Sequence, residues 1–246
     1  MSGGGAVITK RLGIIGGLGP LATVYFYELV TKMTDAAVDQ EHLEMIILSK
    51  PSIPDRTEYI LGRSMKNPAI PIIEAGKTLV SLGVDCIAIP CITAHYFHDI
   101  LANGIEVPII HIIQETAKHL KEHGIRCAGI MATEGTIYSN IFQVELEEQG
   151  INTVIPSGEK QDYVTDLIYR NVKASRPVEM ELFHQVSEEL RTKGAQVIIL
   201  GCTELSLIKR DYSIGAGYLD AMEVLAMNSI LLCDGKLKNE YKSLIT

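Results

Sequence analysis

Short apolar runs rich in β-branched residues recur along the chain at 12–15, 45–48, 86–89, 107–110, 128–131, 153–155 and 197–200. Most are continuously apolar rather than alternating, as in strands covered on both faces. Longer amphipathic stretches lie between them, at about 21–33, 67–82, 113–123, 139–149, 177–193 and 219–233, and their spacing predicts helices. Gly83, Gly124, Gly150 and Gly194 close four of these stretches just ahead of a new apolar run, where helix C-termini are expected. Strands alternating with helices predict a parallel α/β sheet.

The pattern then repeats. Gly83 stands eight positions before Cys91, with an apolar run between them and Thr93 after; Gly194 stands eight before Cys202, which Thr203 follows. Leu12-Gly-Ile-Ile-Gly-Gly also matches Ala128-Gly-Ile-Met-Ala-Thr. These correspondences predict two pseudo-symmetric α/β lobes with parallel sheets. Residues 1–112 plus about 222–246 would form the first lobe and 113–221 the second. Ligands of open α/β sheets bind at the carboxyl edge of the strands. The active site is therefore expected in the inter-lobe cleft, with Cys91 and Cys202 on opposite walls. The plainer alternative is that cysteines simply end core strands. It suits Cys86, Cys127 and Cys233, which lie within apolar segments, whereas Cys91 and Cys202 stand where apolar residues give way to polar ones.

Composition narrows the classes. A net charge of −8 argues against a general nucleic-acid binder, which needs a basic face. No apolar run has transmembrane length, and the first residues lack the order of a signal peptide. Five cysteines, an odd number, read as reduced thiols in the cytoplasm. None has the spacing of a structural zinc site, and His95 with His98 forms a lone HxxH pair from which no metal is expected. His95 and His111 are expected as hydrogen-bonded core or cleft-edge residues. Only the ends, at 1–5 and 236–246, suggest disorder.

Two opposed thiols suit one reaction in particular. Inverting a stereocentre beside a carboxylate requires removing a proton from one face and delivering one to the other. A thiolate and a thiol can exchange these roles, and a helix N-terminus or a cation favours the thiolate.

Five motifs spread along the chain resemble the aspartate/glutamate racemase superfamily, aspartate racemase branch. They are Gly16-Gly-Leu-Gly-Pro-Leu-Ala-Thr23, Ile53-Pro-Asp-Arg-Thr57, Pro90-Cys-Ile-Thr-Ala-His95, Ala132-Thr-Glu-Gly-Thr136 and Gly201-Cys-Thr-Glu-Leu205. Glu204 after Cys-Thr resembles the aspartate branch, since glutamate racemases have histidine there. The resemblance implies a pseudo-symmetric two-lobe fold, no cofactor, a two-thiol mechanism on a small acidic amino acid, and a homodimer. It implies Arg56 and Lys173 as cations for the side-chain carboxylate. Thr93, Thr133 and Thr203 would surround the α-carboxylate; their alternative role is helix N-capping. Gly17 belongs to a tight glycine turn that permits close backbone approach. One position departs from the pattern: Ile92 stands where the family has asparagine, and isoleucine can donate no hydrogen bond to groups on the substrate's α-carbon.

Other readings remain open. Gly17-Leu-Gly-Pro-Leu-Ala22 also fits a dinucleotide-binding fingerprint, although the next strand ends in Ser49-Lys50 rather than an acid. The fold also admits a cysteine-dependent dicarboxylate isomerase, and a catalytically silent acidic amino-acid binding protein.

Overall fold

Every residue of Leu12–Gly16 (β1) is buried, as a central strand covered on both faces must be. In the computed structural model, which describes residues 10–246, β1 pairs in parallel with Met45–Ser49 (β2) on one side. On the other side it pairs with Cys86–Ala88 (β3). The second half repeats the arrangement. Cys127–Ala132 (β4) is central, with Asn152–Val154 (β5) on one side and Val197–Gly201 (β6) then Tyr218–Asp220 (β7) on the other. All these pairings are parallel. The expected disorder at 1–5 lies outside the described residues.

The expected strand at 107–110 is reduced to a single parallel bridge between Ile87 and Ile109. It occupies the place beside β3 that β7 takes beside β6. Ile110 donates to Ile87 O at 2.9 Å and Ile87 donates to Pro108 O at 2.9 Å, but Pro108 has no N–H with which to extend a ladder.

The first sheet is served by Pro20–Met33 (α1), Arg56–Ile60 (α2), Ala69–Ser81 (α3), His98–Gly104 (α4) and Ile112–Glu122 (α5). The second half carries Glu134–Tyr138 (α6), Ile141–Glu148 (α7), Gly158–Thr165 (α8), Met180–Thr192 (α9), Thr203–Asp211 (α10) and Ala221–Leu232 (α11). A π-helical segment, Asp166–Val172, prolongs α8. Pro20 sits in the first turn of α1, where its missing N–H leaves no bond unmade. The four glycines expected at helix ends all have left-handed φ, from 70° to 101°.

Strand periodicity distributes the core. Leu12 and Ile14 of β1, Ala128 and Ile130 of β4, and Val197 and Ile199 of β6 face one shared cluster with α1, α5 and α11. Their alternates, Ile15 on one sheet and Met131, Ile198 and Leu200 on the other, face separate layers containing α3 and α9 respectively. The shared cluster joins the two sheets, so both carboxyl edges are held in a fixed relation.

The tail at 236–246, expected to be disordered, is ordered. Leu237 bridges Thr34 at the end of α1, and Ile245 bridges Leu219 in β7. Leu237, Tyr241, Leu244 and Ile245 all pack on the shared cluster, so apolar residues spaced among the lysines fasten the segment.

Candidate active site

Cys91 and Cys202 terminate equivalent strand-to-turn units. Each is the N-cap of the element that follows it, with φ −156° and ψ 103° at Cys91 and φ −149° and ψ 136° at Cys202. The elements themselves differ. Cys202 opens α10, whereas Cys91 opens a 3-10 turn, Ile92–Phe97, before α4. Both side chains are buried, and both line one small cavity.

That cavity is walled by residues from both halves: Leu18 after β1, Arg56 and Thr57 of α2, Ile92 and Thr93 after β3, Thr133 after β4, Tyr169 and Lys173, and Thr203 with Glu204. It is nearly filled, with about 10 Å³ of space, roughly enough for one water. An outer basin of about 530 Å³ adjoins it. Leu18, Asp55, Arg56, Lys173 and Glu204 line both spaces and form the passage between them. A groove of about 560 Å³ between α5, α11 and the tail contains neither a cysteine nor a strand end.

Arg56 begins α2, which Asp55 caps by accepting from Glu58 N at 3.0 Å. The guanidinium is buried and donates to Leu18 O and Pro54 O, both at 2.9 Å. Its Nε is buried with no partner among the described residues, leaving one donor for an incoming acceptor. Burial opposes the charge, but Cys91 and Asp55 outweigh that penalty and hold Arg56 protonated.

The surroundings of Cys202 are opposite in sign. Its Sγ donates to Glu204 Oε2 at 3.0 Å, and Thr203 Oγ1 donates to the same oxygen at 3.2 Å. Burial, followed by the Glu204 charge, pushes the Cys202 thiol well above its ordinary value, with Lys173 pulling the other way. Lys173 sits on the exposed rim, its Nζ 4.2 Å from the centre of the Tyr169 ring. Desolvation works against its charge, while Glu204, Tyr169 and Cys202 raise its pKa.

Thr93, Thr133 and Thr136 form a closed triangle of hydroxyls, each 3.0 Å from the other two, joining the turn after β3 to that after β4. Thr133 also caps α6, accepting from Thr136 N at 3.2 Å. Thr93 and Thr203 cap nothing, because the cysteines occupy the cap positions. Ile92 lines the cavity yet belongs to the shared core cluster and is almost wholly buried. His95 places one ring nitrogen 3.1 Å from Cys91 O and the other 3.2 Å from Ile110 O. Burial, then the charge of His111, depresses it to about 3, so it is a neutral core residue.

Of the residues singled out in the sequence, Cys91, Cys202, Arg56, Lys173, Ile92, Thr93, Thr133 and Thr203 all meet at the inner cavity. Gly17 does not; it lines the outer basin. Its φ is +86°, and a Cβ there would meet Lys50 N at 2.5 Å. Its N–H is already donated to Thr23 Oγ1. The glycine turn thus packs on the chain's own backbone at Lys50–Pro51, which argues against its use as a pyrophosphate cradle. Sequence reasoning missed Leu18, Asp55, Thr57 and Tyr169 and left Glu204 between orienting a partner and capping a helix. Asp55 and Thr57 flank Arg56, and Tyr169 lies four residues before Lys173, a helical neighbour.

Residues 15–228 match the family described as Asp/Glu/hydantoin racemase. The chain belongs to that family. It is 30% identical over 223 residues to the broad specificity amino-acid racemase RacX of Bacillus subtilis (strain 168), covering 89% of this chain and 96% of that protein. Among solved structures, the Picrophilus torridus aspartate racemase is similar with a TM-score of 0.84 and 35% identity, over 96% of this chain and 99% of the other. An aspartate racemase homologue from Pyrococcus horikoshii OT3 is similar with a TM-score of 0.74 and 25% identity, over 92% and 99%. As a member of the racemase family, the chain is an isomerase acting on amino acids. No helix among the described residues is long and apolar enough to cross a membrane.

Proposed function

We propose that this protein is a cofactor-independent racemase of acidic amino acids, aspartate foremost, with Cys91 and Cys202 as opposed acid and base. The observation that carries the reading is the pairing of equivalent cysteines on one cavity with opposite electrostatic surroundings. The Arg56 cation stands beside Cys91, while burial and Glu204 keep the proton on Cys202. For one enantiomer Cys91 abstracts the α-proton and Cys202 delivers its own to the opposite face; for the other the roles reverse. Arg56, through its free Nε, and Lys173 at the rim hold the side-chain carboxylate. Thr93, Thr133 and Thr203 surround the α-carboxylate. Gly17 shapes the basin through which substrate enters. Because the inner cavity is nearly filled, the passage residues move aside to admit substrate.

The same reading takes 1–112 with about 222–246 as one lobe and 113–221 as the other, with the site in the cleft between them. It is supported by the packing of α11 against α1. A homodimer, implied by the sequence resemblance, and a cytoplasmic location, read from the odd cysteine count, complete the picture.

Ile92 favours one second reading. An apolar side chain where an α-ammonium group would otherwise find a polar partner suits a substrate without that group, namely a dicarboxylate isomerised by one cysteine acting as nucleophile. Proton NMR of L- and D-amino acids and of maleate, incubated with the protein in heavy water without added cofactor, separates the two. Loss of the α-proton of aspartate or glutamate, with both enantiomers forming, is expected. Isomerisation of maleate without any amino-acid exchange would replace the racemase reading.

A further inference from the structure

Two cysteines outside the active site lie against one another. Cys86 opens β3 and Cys233 caps the C-terminus of α11, 147 positions later, and their sulfurs are 3.3 Å apart. Both are free thiols within the shared core, 1% and 0% exposed. The only polar partner either sulfur has among the described residues is the other. A disulfide bond is about 2.05 Å long, so each sulfur would move well under 1 Å along the line joining them. The two backbone segments are already held in place by the β1–β3 ladder and by Cys233 N donating to Ser229 O at 3.2 Å.

We propose that Cys86 and Cys233 are a dithiol that closes to an intramolecular disulfide in the folded protein when a small-molecule disulfide or a dithiol–disulfide oxidoreductase is the oxidant. One cysteine, as thiolate, attacks a sulfur of the oxidant, forms a mixed disulfide and expels a thiolate. The second cysteine attacks the mixed disulfide and expels the other thiolate. The cysteine sulfurs are oxidised by two electrons, the oxidant is reduced to two thiols, and the two cysteine protons leave with them.

The surroundings suit this exchange. The hydrogen bond between the two thiols favours the thiolate of Cys86 and disfavours that of Cys233, which provides an attacking sulfur and leaves its neighbour protonated. Lys10, at the surface, spans the end of α11 by donating to Leu232 O at 3.2 Å and pairing with Asp234 at 3.3 Å. Leu231 and Leu232 of the last turn are exposed. Cys233 stands at the end of this terminal turn, so local opening of the turn is the route by which an oxidant would reach the pair. The bond would join a strand of the first sheet to the last helix, closing most of the chain into one loop. Long loops of this kind restrict the unfolded ensemble most.

The test is to treat the native, full-length protein with oxidised glutathione, block remaining thiols with a maleimide under denaturing conditions, and map the digest by mass spectrometry. A Cys86–Cys233 linked peptide 2 Da lighter than the two reduced peptides is expected. The unfolding midpoint should rise by roughly 5–10 °C and return with dithiothreitol. Cys86→Ala and Cys233→Ala should each abolish the rise while leaving the other cysteines reactive as before. Recovery of both cysteines as maleimide adducts after oxidation would overturn the proposal. So would a rise in midpoint that persists in both variants, since that rise would belong to another site.

Discussion

The Cys202 thiol donates its proton to the Glu204 carboxylate at 3.0 Å, two residues along the same turn. A negative charge so close disfavours the thiolate, so under the proposed mechanism Glu204 would set the pH range over which Cys202 serves as the acid. Replacing it by glutamine removes the charge while retaining the shape. Glu204→Gln should lower the Cys202 pKa and move the alkaline limb of the kcat/KM profile to lower pH. The pH–rate profile of the variant checks this; an unmoved alkaline limb would mean that Glu204 does not govern the thiol.

Arg56 has a structural role and, in the proposed function, a binding one. Its head group ties Leu18 to the 53–54 turn, and its Nε has no partner among the described residues. Arg56→Ala should raise KM for aspartate about ten- to hundredfold, the range for one charge-assisted hydrogen bond. Turnover of alanine should change less. The ratio of aspartate to alanine kcat/KM is the readout, because general loosening of the site would lower both together.

Ile92 sits on the boundary between core and cavity. Ile92→Asn should cost about 1–3 kcal/mol through burial of an amide, a fall of several degrees in the unfolding midpoint. If the position faces the substrate's α-carbon, the same change should lower KM for aspartate. Calorimetry together with steady-state kinetics separates the two effects. Lost stability with no change in KM would place Ile92 in packing alone.

Acid should destabilise the fold through buried histidines. His119 is buried, accepts from Leu244 N at 3.3 Å, and is depressed to about 4 by burial and then by His123. His111 is held at about 4 by burial and then by His98. A lowered folded-state pKa gives stability that is full above the ordinary histidine value of about 6.5 and is lost as pH falls through the folded value. Between pH 6.5 and 4, His119 should account for about 1–3 kcal/mol of loss. Its protonation would also set N–H against the N–H of Leu244. Unfolding midpoints across this range should fall less steeply in His119→Gln; equal slopes would assign the loss elsewhere.

Much of this architecture was legible because buried parallel strands leave a plain mark. Continuous apolar runs mark all six strands other than β7, and the glycine–strand–cysteine repeat marks Cys91 and Cys202 as equivalents. Strand β7 escaped because Tyr218–Asp220 is three residues long and merges into α11, for which Asp220 is the cap. The run at 107–110 resembled a full strand, but Pro108 limits it to a bridge. The walls of the site were harder to read. Tyr169 lies in a π-helical segment that breaks ordinary helical periodicity, and Leu18 enters through its carbonyl, which side-chain patterns do not register. Glu204 reads equally well as a helix-start acid; only its contact with Cys202 distinguishes it. The tail was misread because its lysine content concealed spaced apolar anchors.

The two-thiol account predicts that Cys91→Ser and Cys202→Ser each lower racemisation by about 10²- to 10⁴-fold with little change in unfolding midpoint. The more direct measurement follows the α-hydrogen itself. L-aspartate is incubated with wild-type protein in heavy water, and at early conversion the label is read separately in the L- and D-pools. With separate acid and base, the D-aspartate formed should carry deuterium from the first turnovers, while unreacted L-aspartate keeps its protium. D-aspartate that retains the original protium would mean that one group carries the proton across the carbanion, and would contradict the assignment of Cys91 and Cys202 as an opposed pair.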